Sequence, residues 1–128
     1  MVDRGTVGGR AAGADSDPIK VMLVDDSAVV RGLISRIVDS DKRLSVKNSV
    51  GDGLAALRIL ERNPVDVILL DIEMPRMDGL EMLSRLRRES SMPVIFLTSK
   101  DDELDELLGF KLGADDYITK PFSVRLLI

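Results

Sequence analysis

The 128-residue chain contains no cysteine and no histidine. The first absence excludes disulfides, thiol nucleophiles and thiolate metal sites, and it accords with a cytosolic protein. The second excludes a Ser-His-Asp triad, an imidazole zinc site and a phosphohistidine carried by this chain. No apolar run reaches the roughly 18–20 residues that span a bilayer, and the opening residues lack an apolar stretch of the kind that directs secretion. Basic residues are not in excess either: the formal net charge is −4, which argues against direct binding of nucleic acid through phosphate contacts. What is left for chemistry is carboxylates, hydroxyls and lysine.

The length suits one domain. Residues 1–18 are rich in glycine and small side chains without apolar periodicity and read as a disordered tail, with the folded domain expected over 19–128. From Ile19 onward short apolar runs alternate with helical periodicity. Lys20–Val24 is a buried strand followed by Asp25 and Asp26. Val30, Leu33, Ile34, Ile37 and Val38 then mark one face of a helix. Leu44, Val46, Asn48 and Val50 alternate as in a half-buried strand, and Gly51-Asp52-Gly53 opens a second helix that stops before Pro64. Val65–Leu70 is apolar apart from Asp66, reads as a central parallel strand, and ends at Asp71. The turn Met74–Gly79 leads to a third helix, about Leu80–Arg88. Pro93–Leu97 is the fourth strand, Asp101–Leu112 the fourth helix with Gly113 to end it, and Asp116–Thr119 the fifth strand. This alternation predicts an α/β fold: a doubly wound five-stranded parallel sheet with helices on both faces and right-handed crossovers. After Pro121 seven residues remain, so the fifth helix is expected to be truncated.

In such a sheet, ligands bind beyond the carboxyl ends of the strands. Asp25 and Asp26 follow strand one, Asp71 ends strand three, Thr98 and Ser99 follow strand four, and Lys120 follows strand five. Three clustered carboxylates repel one another unless a cation lies among them. Hard oxygen donors suit Mg²⁺, which shares its shell with phosphate. A carboxylate can also accept a phosphoryl group as a nucleophile. Plainer readings stand beside these. Asp26 precedes a helix and also suits an N-cap; Asp52 reads as a cap, and Ser99 and Asp101 as the start of the fourth helix. Arg85, Arg87 and Arg88 read as a solvated helix face, and the methionines at 74, 77 and 82 as packing or turn residues. Gly51-Asp52-Gly53 is too short for a dinucleotide fingerprint.

The segments VDD (Val24–Asp26), LLDIEMPRMDG (Leu69–Gly79), LTS (Leu97–Ser99) and GADDYITKPF (Gly113–Phe122) together resemble the receiver domains of two-component response regulators, over roughly Ile19 to Ile128. Lys20–Val38 looks like the receivers of chemotaxis methylesterases, and the part from about Asp71 onward like those of winged-helix transcription factors. The resemblance implies a flavodoxin-like strand order 2-1-3-4-5 and an Asp71 phosphoacceptor supplied by a histidine kinase. It implies Mg²⁺ held by Asp25, Asp26, Asp71 and the backbone carbonyl of Glu73, with Thr98 and Lys120 as phosphoryl partners. Thr98 and Tyr117 resemble the switch pair, and the Lys120–Pro121 bond is expected to be cis. A Glu73–Lys100 ion pair is expected to shield the phosphoryl group from water.

Such a chain would catalyse its own phosphorylation and slow dephosphorylation without turning over a separate substrate, and so is not an enzyme in the usual sense. A phosphorylation-independent interaction module, dimerising through the face of the fourth helix and fifth strand with leucines such as Leu104, Leu107 and Leu108, is the alternative. An aspartyl phosphatase is a third reading, disfavoured because Glu73 stands where those enzymes usually carry a second Asp.

Overall fold

The computed structural model describes residues 17–98 and 111–120. The expectations for the tail through Ser16, for Ser99 and Lys100, for the fourth helix as far as Phe110, and for the segment from Pro121 onward fall outside the described residues. The elements in chain order are β1 (Ile19–Val24), α1 (Ala28–Asp39), β2 (Leu44–Val50), α2 (Gly53–Arg62), β3 (Val67–Asp71), α3 (Gly79–Leu86), β4 (Val94–Thr98) and β5 (Asp116–Thr119). All neighbouring strands pair in parallel, in the order β2-β1-β3-β4-β5. That is the predicted order, with the winding reversing between β1 and β3.

Side-chain alternation on β1 divides the core into two layers. Val21 and Leu23 meet Val30, Ile34 and Val38 of α1 together with Leu69 and Leu97. Met22 and Val24 face the other way, against Ala56 of α2 and Met82, Leu83 and Leu86 of α3, with Ile68, Leu70, Val94 and Phe96. Helices therefore cover both faces. Each fully buried Leu, Ile or Met contributes about 1.5–3 kcal/mol from apolar burial, and the middle strands β1, β3 and β4 carry most of them. Met74, Met77 and Met82 all pack into this core, as the sequence suggested. Ile37 departs from its expected place: it is 54% exposed, because only Val30, Ile34 and Val38 of α1 reach the sheet.

Helix starts follow local chemistry. Ser27 caps α1 by accepting from the Val30 amide at 3.2 Å, so the cap considered for Asp26 is supplied by its neighbour. Asp52 caps α2, accepting from Leu54 N at 2.8 Å and Ala55 N at 3.3 Å. Asp78 caps α3 through Glu81 N at 2.8 Å. Asp66, the polar exception in the third apolar run, lies before β3 and not within it. Its carboxylate accepts from Lys20 N at 2.7 Å and its own amide donates to Lys20 O at 2.8 Å, closing the start of the β1–β3 ladder. At α3 the approach is close: the Gly79 amide donates to Ile72 O at 2.8 Å. A Cβ on Gly79 would lie 2.3 Å from the Asp71 carbonyl oxygen and 2.9 Å from Ile72 Cα. Glycine is required here to seat α3 directly beneath the end of β3.

Candidate phosphoryl-acceptor site

β1, β3, β4 and β5 end on one edge of the sheet, and the singled-out residues emerge there. Asp25 leaves β1 with its amide donating to Val50 O at 3.0 Å. Its carbonyl accepts from Arg31 Nη1 at 2.8 Å, and the same guanidinium donates to Ser49 Oγ at 3.0 Å. Its carboxylate Oδ1 accepts from Ser27 N at 2.9 Å. The β1–α1 turn is thus held from three sides. Asp71 closes β3 opposite Leu97 of β4, so Thr98, one position on, is buried beside the site. Lys120 follows β5, its amide donating to Thr98 O at 2.8 Å.

Lys120 Nζ lies 3.1 Å from Asp25 Oδ2 and 3.3 Å from Asp71 Oδ1. Carboxylate oxygens of Asp25, Asp26 and Asp71 lie within 4.8 Å of one another. Asp25 and Asp71 are only 1% and 5% exposed, whereas Asp26 faces solvent. Burial, and then the charge of Asp25, push the Asp71 carboxyl up to about 7, against the opposing pull of Lys120. Burial alone would lower the Lys120 ammonium. The charges of Asp71 and Asp25 outweigh it, and the group is held above its usual range.

Asp25 Oδ2 is buried, with the Lys120 ammonium 3.1 Å away as its partner among the described residues. Three carboxylates facing one ammonium leave negative charge in excess, and a hard cation among them would offset it. The donor set therefore fits Mg²⁺. Glu73 is exposed in the loop after β3, where it lines a groove of about 500 Å³ with Ile72, Met74, Pro75, Asp78 and Leu80. Tyr117 is half-buried on β5, its ring 5.7 Å from that of Phe96 and tilted by 35°. Strand alternation puts Phe96 and Thr98 on the same face of β4, so Thr98 and Tyr117 flank one patch of the sheet.

Two arginines escaped the sequence reading. Arg31 braces the Asp25 carbonyl, as above. Arg87 is not part of a solvated face: it is 19% exposed and paired with Asp115 at 3.1 Å. Nothing in the local pattern distinguishes a bracing arginine from a solvated one, because the side-chain partners, Ser49 for Arg31 and Asp115 for Arg87, lie far along the chain.

The model of the response regulator receiver domain family matches residues 21–128. A protein-glutamate methylesterase/protein-glutamine glutaminase from Rhodospirillum centenum is 46% identical over 126 residues, 95% of this chain and 31% of the relative. The methylesterase likeness thus extends well beyond the Lys20–Val38 segment that suggested it. The sensory transduction protein RegX3 of Mycolicibacterium smegmatis is 51% identical over 79 residues, 62% of this chain and 35% of that protein. The chain spans about a third of the length of these relatives. Among solved structures, the response regulator domain of Thermotoga maritima CheB superposes with a TM-score of 0.76 at 34% identity, covering 83% of this chain and 81% of that one. With the family model matching nearly the whole folded region and the acidic pocket at the sheet edge where the motifs predict it, the chain belongs to the response regulator receiver domains.

Proposed function

We propose that this chain is a phosphoryl-accepting signalling module in which Asp71 takes a phosphoryl group from the phosphohistidine of a histidine kinase. The observation that carries the reading is the Asp71 carboxylate, buried at the end of β3 beside the Lys120 ammonium and the carboxylates of Asp25 and Asp26. In the transfer an Asp71 carboxylate oxygen forms the new O–P bond as the P–N bond of the donor imidazole breaks. Lys120 offsets charge on one phosphoryl oxygen and the Thr98 hydroxyl donates to another. Asp25, Asp26, Asp71 and the Glu73 carbonyl would hold Mg²⁺. Bound there, it supplies positive charge that favours the ionised Asp71 and balances the incoming phosphate.

Phosphorylation then draws Thr98 toward the phosphoryl group, and Tyr117 repacks against the space it leaves. The half-buried position of Tyr117 on Phe96 supports a ring poised between two packings. A homodimer through the face of the fourth helix and β5 belongs to the same reading, supported by the exposure of the apolar side chains of Leu112 and Ile118.

The test is Mg²⁺-dependent labelling by acetyl phosphate, followed by intact-mass measurement. The unsubstituted chain should gain one phosphoryl group and Asp71→Ala none. Labelling that survives the substitution would remove Asp71 from its role. No labelling of either chain would favour the phosphorylation-independent interaction module.

A further inference from the structure

β5 is the least anchored strand of the described sheet. It has four residues, one sheet neighbour, and only Tyr117 even half-buried, whereas β4 beside it is buried along nearly its whole length. Register in a sheet is normally set by the apolar face, and β5 has almost none. Yet Lys120, the residue that leaves β5, depends on that register. A slip of one residue would carry it about 3.3 Å along the strand and turn its side chain to the other face.

At the opposite edge of the sheet, Arg87 supplies a fixed point. Its guanidinium donates through Nη1 to Met92 O at 2.7 Å and to Ser90 O at 3.4 Å, tying it to the chain that enters β4. Through Nε and Nη2 it donates to Gly113 O at 3.1 Å and 2.8 Å, and Nη2 also meets Asp115 Oδ2 at 3.1 Å. Asp115 Oδ2 accepts from Val94 N at 2.8 Å, and the Asp115 amide donates to Val94 O at 2.9 Å. One planar cation thus clamps the approach to β4 and the approach to β5 together, using the fork of donors that lysine lacks. Gly113 makes room for it, with φ at 107° and a site where a Cβ would lie 3.1 Å from Arg87 Nε.

We infer that Arg87, with Asp115, is a positioning residue for Asp71 phosphorylation: it sets the register of β5 on β4 from the far edge of the sheet and so places Lys120 between Asp71 and Asp25. The inference rests on the phosphoryl-accepting reading above. Arg87 touches none of the reacting groups and acts only through Lys120.

The experiment is a double-mutant cycle on the acetyl phosphate labelling rate of the full chain, using Arg87→Gln, Lys120→Ala and the pair. Arg87→Gln should slow labelling about tenfold in the unsubstituted background, as misplacement of a reacting group does, and less than about twofold when Lys120 is already alanine. The Mg²⁺ half-saturation of Arg87→Gln, followed by amide chemical shifts, should not weaken, since the three carboxylates are untouched. Equal slowing in both backgrounds, or none in either, overturns the inference. Should Arg87→Gln fail to fold, Asp115→Asn carries the test: it keeps an acceptor for Val94 N, loses the ion pair, and should show the same dependence on Lys120. A chain whose unsubstituted form takes no Asp71-dependent label sinks the phosphoryl-accepting reading instead; normal labelling of the unsubstituted and Arg87→Gln chains alike sinks only the positioning role.

Discussion

Asp71 is held in two opposing fields. Burial and the Asp25 charge disfavour its ionised form, while Lys120 favours it, and the balance lifts its titration from an ordinary 3.8 to about 7. Because the folded value is the higher one, the native state binds more protons than the unfolded chain between about pH 4 and 7. Its stability without metal therefore falls as pH rises through that window. The penalty is complete above about 7, and at about 1.4 kcal/mol per pKa unit it amounts to a few kcal/mol at most. Asp71→Asn, which cannot ionise, should raise metal-free stability by about 1–3 kcal/mol at pH 8 and by clearly less at pH 5. Urea midpoints at the two pH values measure this; a gain that is equal at both would show that the charge is not its source. That these carboxylates and Lys120 belong to one site was legible from their places at strand ends. That Asp25 is buried while its neighbour Asp26 faces solvent was not, because adjacent residues are separated by a turn whose course depends on Arg31, Ser49 and Val50.

At the scale of elements, the junction of β3 and α3 is closely packed at Gly79. The carbonyl of Asp71 itself occupies the space that a Gly79 side chain would need. Backbone cannot swing aside as a flexible side chain can, so Gly79→Ala must displace the α3 start or the end of β3. Overpacking of this kind costs about 1–3 kcal/mol, read as a lower urea midpoint at unchanged slope. The same shift should slow Asp71 labelling, whereas a stability loss without slower labelling would mean that α3 alone yields. Turn residues in Met74–Gly79 were visible from the sequence, but not the contact that makes the glycine necessary. Caps were read unevenly for a related reason. Asp52 was recognised, while the α1 cap falls to Ser27 and not Asp26, since candidates one residue apart are separated only by the path of the turn. The fifth strand was placed at its observed bounds, Asp116–Thr119, although its side chains are mostly exposed.

Across the whole molecule, the sheet converges charge at one edge: two buried carboxylates, a third at the surface and one buried ammonium. A cation bound there by the native state alone should stabilise it by mass action, about 2.7 kcal/mol when its concentration is a hundredfold above Kd. The gain in thermal midpoint on adding Mg²⁺ should be larger at pH 8 than at pH 5, because protons compete for the same carboxylates. It should be largely lost in an Asp25→Asn, Asp26→Asn double variant; a gain that persists there would place the cation elsewhere.

The sequence by itself determined the kinds of group available, the alternation of strands and helices, and the placing of Asp25, Asp71, Thr98 and Lys120 each at or just past the end of a strand. Those features are written within a few residues, in periodicity, caps and turns. Tertiary structure alone decided that Lys120 reaches both Asp25 and Asp71, and that Arg87 is a partly buried brace and not a solvated face. Such distances are set by strand register and by helix seating against the sheet. Both depend on packing between segments far apart in the chain, which no local pattern encodes.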